Sequence, residues 1–173
     1  MDSQAVVDHI PSLRRYARAL TGDAWSADDL VQDTLERACN KWRLWTVGSD
    51  LRAWLFTVMH NVFASQMRRA PPLRNVVPID DVAHELRAID PGQDRDHALD
   101  LQRCLLQLPE DQRAVLLLVA LEDLSYAEVA KVLGIPAGTV MSRLSRARAR
   151  LHELMDGAAP PAARTAPSLR RLK

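Results

Sequence analysis

The stretch LSYAEVAKVLGIPAGTVMSRLSRARARL, residues 124–151, decides how the carboxy-terminal part of this chain folds. Val129 and Leu133 stand four apart, and Gly134 follows where a helix often ends in a left-handed residue. Pro136 then suits the first turn of a new helix. That second helix carries an apolar seam at spacings of four, three and four, at Val140, Leu144, Ala147 and Leu151. The pattern predicts a helix-turn-helix.

The face opposite that seam is polar and basic. It centres on Ser142, with Thr139 and Arg146 close by, and Arg143 and Arg148 lie on its flanks. Short polar groups with arginines suit base edges in a major groove, and flanking cations suit phosphates. The alternative is a solvated basic helix with no nucleic-acid role. Arginines with no acidic residue beside them repel one another, which favours a polyanionic partner.

Composition and charge narrow the class of protein. A chain of 173 residues allows one domain or two small ones, and 47% hydrophobic with 26% charged residues is typical of a soluble globular protein. The net charge of +1 hides segregation, because residues 136–173 carry a local excess of +6 and residues 71–100 one of −4. This predicts DNA at the basic end, and in the middle either a solvated connector or a segment that masks the basic end.

The chain shows no useful strand alternation, so we predict an all-α fold. Two small helical domains, residues 5–70 and 99–155, are joined by a flexible acidic linker, residues 71–98, and the second contains the helix-turn-helix. The linker holds Pro71, Pro72, Pro78 and Pro91, which rule out one continuous helix. Residues 156–173, rich in Ala and Pro, are predicted to be a disordered basic tail.

The sequence does not support a membrane protein, a secreted protein, a metal or cofactor protein, or an enzyme. No segment reads as a membrane span or a signal peptide, so we expect a cytoplasmic protein with no membrane insertion. Cys39 and Cys104 have no CxxC partner and are expected to be buried free thiols, without a metal or cofactor. No nucleophile–base pair or phosphate-cradling loop is visible, so we expect no enzyme and no catalytic residues.

An acidic helix distinguishes the amino-terminal lobe. Between residues 22 and 36 there are five acids and no basic residue, and Asp29, Asp33 and Glu36 share one helical face. Ser26 and Asp29 resemble a capping box and predict where the helix begins. Acids early in a helix can simply complement its dipole. A whole acidic face would repel DNA, however, so it predicts docking to a basic protein surface.

The next predicted helix spans residues 51–69. Trp54 and Asn61 lie seven apart and project on nearly the same side. Aromatic and basic residues flank them: Trp42 and Trp45 before the helix, Arg68 and Arg69 at its end. Bases can stack on rings while cations hold phosphates, so the segment suits single-stranded nucleic acid. The alternative places these tryptophans in the core.

Four motifs in this order carry a resemblance: DDLVQDTLERA, LRAWLFTVMHNVFASQMRR, LPEDQRAVLLLVALEDLSYAEVA and GIPAGTVMSRLSRARARL. Together they resemble the extracytoplasmic-function group of sigma factors, over residues 5–70 and 99–155. The resemblance implies a factor that binds core RNA polymerase and directs promoter-specific initiation. It also implies an anti-sigma factor as a regulator and a monomer when free.

The resemblance assigns three sets of residues. Polymerase binding falls to Asp28, Asp29, Gln32, Asp33 and Glu36. Melting and recognition of the downstream promoter element fall to the loop of residues 46–52 and to Trp54, Asn61, Arg68 and Arg69. Recognition of the upstream element falls to Tyr126, Thr139, Ser142, Arg143, Arg146 and Arg148. Many members carry Arg where this chain has Met141, which removes a possible phosphate or guanine contact.

One rival remains open, a stand-alone helix-turn-helix regulator that binds DNA as a dimer. It leaves the acidic helix and the tryptophan-rich segment without a role. A stable dimer in gel filtration would favour this rival, and a monomer the sigma factor.

Overall fold

The computed structural model describes residues 3–42, 45, 50–69 and 94–158. This part of the chain is all-α, as predicted, and contains eight helices. They are α1 (Ser3–Val7), α2 (Ile10–Thr21), α3 (Ala24–Asn40), α4 (Leu51–Arg69), α5 (Asp94–Leu106), α6 (Glu110–Ala120), α7 (Tyr126–Leu133) and α8 (Ala137–Ala158). Most of the predicted linker and of the predicted tail lies outside the described residues. Helix α5 begins at Asp94, inside the segment assigned to the linker.

The amino-terminal lobe consists of α1 to α4, with α3 packed between α2 and α4. Its core is made of side chains that are almost completely buried, including Leu13, Leu30 and Met59. Tyr16 meets Phe56 edge to face, with ring centroids 5.3 Å apart. Each such side chain contributes about 1.5–3 kcal/mol through burial. The core therefore fixes which faces of α3 and α4 point outward.

Helix α3 begins earlier than the predicted start at Ser26. Asp23 is its N-cap, and the Oδ1 atom of Asp23 accepts a hydrogen bond from the Ser26 main-chain N at 2.7 Å. Ser26 is thus inside the first turn, and the capping-box interpretation of Ser26 and Asp29 is wrong. An aspartate whose backbone is extended satisfies an orphan N–H at the helix start as well as a serine does.

The helix-turn-helix forms as predicted. Ser125 caps α7 in a capping box with Glu128, each side chain bonding the other residue's main-chain N. Gly134 ends α7 with φ of 65°, the left-handed conformation that favours glycine. The seam of α8 is buried at Val140, Leu144 and Ala147 and partly buried at Leu151. The turn therefore sets α8 at a fixed angle on the lobe and leaves its other face open.

The two lobes pack against each other. Helix α2 contacts α5 and α6, and α4 contacts α7. The α2 residue Leu20 offers its main-chain oxygen to the Arg113 Nη1 atom at 2.8 Å, and the preceding Ala19 oxygen accepts from Gln102 at 3.3 Å. The last carbonyls of a helix have no partner within the helix and favour a cation. The carboxy-terminal lobe therefore caps the end of α2.

Candidate polymerase and nucleic-acid surfaces

The recognition face of α8 is open and ordered by its own hydrogen bonds. Ser142 Oγ donates to the Thr139 main-chain oxygen at 3.1 Å, and Arg146 Nε donates to the Ser142 main-chain oxygen at 3.2 Å. Ser142, Arg146 and Arg148 are exposed. Three of the residues predicted to read the upstream element thus turn polar atoms to solvent. Ser142 and Arg146, one helical turn apart, lie in one row, and Arg148 lies on the flank.

Two arginines of α8 have acidic partners that the sequence pattern did not reveal. Arg143 is about a quarter exposed, and its Nε lies 3.1 Å from Asp111 Oδ2 of α6. Arg150 lies 3.3 Å from Glu153 one turn later on α8. Arg146 and Arg148 form no ion pair among the described residues. The uncompensated positive charge of α8 is therefore concentrated on these two side chains.

A shallow depression lies beside that row. It is lined by Tyr126, Met141, Leu144, Ser145 and Arg148. Tyr126, at the start of α7, is 40% exposed, and Met141 is 52% exposed. The first helix of the motif thus places the phenol of Tyr126 next to the recognition helix, beside other residues that the resemblance assigns to the upstream element.

The predicted polymerase face of α3 divides into three parts. Asp28 lies 3.5 Å from Arg14 and 3.8 Å from Arg18, both on α2. Asp33 accepts a hydrogen bond from Gln66 of α4 at 2.9 Å, and Asp29 is 3.5 Å from the same amide. Gln32 and Glu36 are exposed between them. Asp29, Gln32 and Glu36 form the outward face.

Sequence reasoning missed Trp25 at the head of that face. Its side chain is 85% exposed, the highest value among the large apolar residues that the structure describes. It stands four positions before Asp29 and seven before Gln32, so all three project on the same side of α3. An exposed tryptophan is an informative signal, because tryptophan is enriched at protein interfaces.

The tryptophans near α4 form a cluster. Trp42 lies 4.9 Å from Trp45 and 6.0 Å from Trp54, measured between ring centroids. Trp54 is partly buried, whereas Asn61 is exposed. The alternative that places the tryptophans in the core therefore holds in part for Trp54. Asn61 is more accessible to solvent than Trp54. Arg68 and Arg69 are exposed at the end of α4. Residues 46–49 of the predicted melting loop lie outside the described residues.

The last residue of that loop, Arg52, is bound by the other lobe. Its Nη2 donates to the Glu122 Oε2 atom at 2.9 Å and to the Glu122 main-chain oxygen at 2.6 Å. The Glu122 side chain is completely buried and also accepts from Arg15 of α2. No local pattern marks Glu122, because its burial depends on a lobe distant in sequence.

His60 of α4 lies near Arg143 of α8. Burial, and then the charge of Arg143, hold the pKa of His60 below its ordinary value. Its Nδ1 atom is buried and has no hydrogen-bond partner among the described residues. The lowered pKa favours the neutral form of the imidazole where the two lobes meet.

The cysteines are free, and only Cys104 is buried. Cys39 is exposed near the end of α3, so its predicted burial is wrong. Among the described side chains, no three His, Cys, Asp or Glu come together as metal ligands would. Within the same part of the chain, no helix combines the length and apolar character that crossing a bilayer requires.

Comparison with known proteins agrees with this architecture. Residues 6–60 match the family model "Sigma2 domain of PhyR", and residues 98–151 match "Sigma-70, region 4". The chain is 41% identical over 152 residues to the ECF RNA polymerase sigma factor EcfG of Rhodopseudomonas palustris, covering 86% of this chain and 83% of EcfG.

Two solved structures share the fold over both lobes. The sigma factor RpoE of Bartonella quintana, solved with the anti-sigma factor NepR, is 34% identical with a TM-score of 0.70, covering 89% of this chain and 96% of RpoE. CnrH, solved with the cytosolic domain of CnrY, is 29% identical with a TM-score of 0.68, covering 91% of this chain and 88% of CnrH. From its two family-model matches and its identity to EcfG, the chain belongs to the family of ECF RNA polymerase sigma factors.

Proposed function

We propose that this chain binds core RNA polymerase through α3 and recognises promoter DNA through α4 and α8. One observation carries the proposal: the two lobes present opposite charges on open helical faces. Asp29 and Glu36 are exposed on α3, and Arg146 and Arg148 are exposed on α8. A face of each sign suits two partners, a basic protein surface and a polyanion.

The polymerase contact is assigned to Asp28, Asp29, Gln32, Asp33 and Glu36. The hydrogen bond from Gln66 to Asp33 and the ion pairs of Asp28 hold the flanks of this face in place. Asp28 and Asp33 are therefore ordered before docking and lose little side-chain entropy, which favours affinity.

Downstream recognition is assigned to Trp54, Asn61, Arg68 and Arg69. Unstacking a base costs a few kcal/mol, and stacking on an aromatic side chain returns roughly 1–3 kcal/mol per base. The exposed Asn61 amide can donate to and accept from a base edge. The protein thus offsets the cost of unpairing by binding, while polymerase supplies further contacts.

Upstream recognition is assigned to duplex DNA in the major groove. Thr139, Ser142 and Arg146 supply polar groups for base edges, and Arg143, Arg148 and Tyr126 lie on the flanks for phosphates. Of these, Arg143 must exchange its ion pair with Asp111 for a DNA contact, which reduces its net contribution.

Polymerase has to hold the two lobes at the separation of the two promoter elements. In the free chain the lobes pack on each other, and we infer that they separate when both promoter elements are bound. A polymerase that binds the opened form converts two weak contacts into one bivalent contact. We therefore expect weak promoter binding by the chain alone.

A solved relative supports regulation by an anti-sigma factor, since the sigma factor RpoE was solved with the anti-sigma factor NepR. We propose that this chain is a cytoplasmic monomer when free and is held inactive by an anti-sigma partner. Gel filtration tests whether the free chain is a monomer. A stable dimer would favour the stand-alone regulator instead.

In vitro transcription tests the central proposal. The full chain is added to core polymerase with a pool of templates that carry randomised promoters, and transcripts are sequenced. We expect a shared pair of elements among the templates transcribed. Asp29→Lys should abolish the products, and Asp156→Lys, an exposed acid on α8, should not. If no template depends on the chain, it is not a sigma factor for that polymerase.

A second candidate function is favoured by the match of residues 6–60 to the Sigma2 domain of PhyR. The anti-anti-sigma factor PhyR was solved with the anti-sigma factor NepR. The second candidate is therefore a protein that binds an anti-sigma factor in place of a sigma factor. It would give no transcripts in the experiment above, yet would restore transcription by a separate sigma factor that the same anti-sigma factor inhibits.

A further inference from the structure

Met141 is an exposed apolar side chain at the edge of the polar recognition face, seven residues before Arg148 and on the same flank. It is 52% exposed, whereas the apolar seam residues Val140 and Leu144 on either side of it are buried. Ser142 and Ser145, its other near neighbours on α8, are exposed and polar. Met141 is therefore not part of the buried core of the lobe.

The surroundings of Met141 suit one small apolar group. The depression beside it has Leu144 on its floor and Tyr126 and Arg148 at its edges. Arg148 can contact a phosphate, and so can the phenol of Tyr126. A duplex held by these two side chains would bring base edges towards Met141 and Ser145.

The chemistry of the major groove selects what Met141 can recognise. A thioether donates no hydrogen bond and accepts only weakly, so it cannot distinguish bases by their donors and acceptors. The only apolar group that a standard base pair presents in the major groove is the 5-methyl of thymine. We propose that Met141 recognises the 5-methyl group of one thymine in the upstream element. This inference rests on the function proposed above.

This assignment predicts a specificity that an arginine at the same position would not have. An arginine favours guanine, whose O6 and N7 accept two hydrogen bonds. Met141 instead favours a base pair that places a methyl group against the depression. The energy is that of burying about one methyl group, which corresponds to about a fourfold change in affinity.

Deoxyuridine provides the test, because it differs from thymidine only in lacking that methyl group. The upstream element is first selected from random promoters with the full chain and core polymerase. Each thymine of the selected element, on either strand, is then replaced singly by deoxyuridine, and the affinity of the complex is measured. We expect one position to lose affinity about fourfold.

Variants then assign the effect to Met141. In Met141→Ala the loss at that position should disappear, and in Met141→Leu, which keeps an apolar side chain, it should persist. Met155→Ala is the matched control, since Met155 is also exposed on α8 but lies beyond the recognition row. It should behave like the wild type.

The outcomes separate this inference from the function on which it rests. A selected element with no methyl-sensitive position, or one whose sensitivity survives in Met141→Ala, overturns the inference and leaves the sigma-factor proposal standing. If no element is selected at all, both are overturned. Unchanged thermal unfolding of Met141→Ala excludes a folding defect as the cause.

Discussion

Glu122 and Arg52 form an ion pair that joins the two lobes of the protein. The carboxylate, completely buried, lies 2.9 Å from the Arg52 guanidinium, which is one-third exposed. Arg15 adds a second cation at 3.0 Å. A buried carboxylate is tolerated only when it is paired, so these contacts exist only while the lobes are together.

Removing the side chains of Arg15 and Arg52 should therefore destabilise the packed lobes more than removing the Glu122 carboxylate. In Arg15→Ala/Arg52→Ala the buried Glu122 would be unpaired, at a cost of about 3–5 kcal/mol. The chain can avoid that cost by separating its lobes and hydrating Glu122. We expect a larger radius of gyration in small-angle X-ray scattering.

The control for this prediction adds Glu122→Gln to the double variant. It removes the buried charge and should restore much of the compact form, because a neutral amide is less costly to bury. A double variant as compact as the wild type would show that the ion pair does not hold the lobes together.

Gly22→Ala should destabilise the protein more than Gly134→Ala. Both glycines end helices with positive φ, at 86° and 65°, so each substitution costs about 1–2 kcal/mol for a left-handed alanine. A Cβ at Gly22 would also lie 2.5 Å from Leu106 Cδ1 of the other lobe, whereas Gly134 has open space. Overpacking adds about 1–3 kcal/mol. Chemical denaturation measures the loss of stability in each of the two variants. Equal losses would argue against close packing at Gly22.

Acidic pH should lower the stability of the folded protein through protonation of His60. Because the pKa of His60 is held below its ordinary value of 6.5, the unfolded chain binds this proton more tightly than the folded one. The stabilisation is complete above about pH 6.5 and is lost as the pH falls through the lowered pKa. We expect the melting temperature to drop between pH 7.5 and 5.5, and to drop less in His60→Gln. Parallel profiles for the two proteins would contradict this role.

Arg146→Ala should weaken upstream recognition at one position. If Arg146 reads a base, its loss costs about 1–3 kcal/mol and relaxes the preference there. Arg150→Ala is the matched control, since Arg150 is paired with Glu153 and lies outside the predicted set. Promoter selection with each variant gives the readout. An unchanged profile for Arg146→Ala removes this residue from the reading set.

Asn61→Ala should impair promoter opening but not polymerase binding. The side chain is exposed, so its removal leaves the core of α4 intact. Permanganate reactivity of thymines measures opening, and co-purification measures binding. A template with a premelted downstream element should rescue the variant. Loss of polymerase binding as well would indicate a structural role for Asn61.

Several features of the site were predictable because they depend on neighbours in sequence. The turn at Gly134 and the seam of Val140, Leu144 and Ala147 follow from helical spacing and from the freedom of glycine. The N-cap of α3 was misassigned to Ser26, since Asp23 and Ser26 both suit a helix start and only the backbone geometry chooses.

The sequence by itself determined the helices, the helix-turn-helix and the sign of charge on each exposed face, because these arise from short-range spacing and side-chain chemistry. Only the tertiary structure decided which groups lose contact with water. The burial of Glu122, the exposure of Trp25 and Cys39, and the contact of Gly22 with Leu106 all depend on packing between distant segments. Such packing is set by the shape of the whole assembled core, which no local pattern encodes.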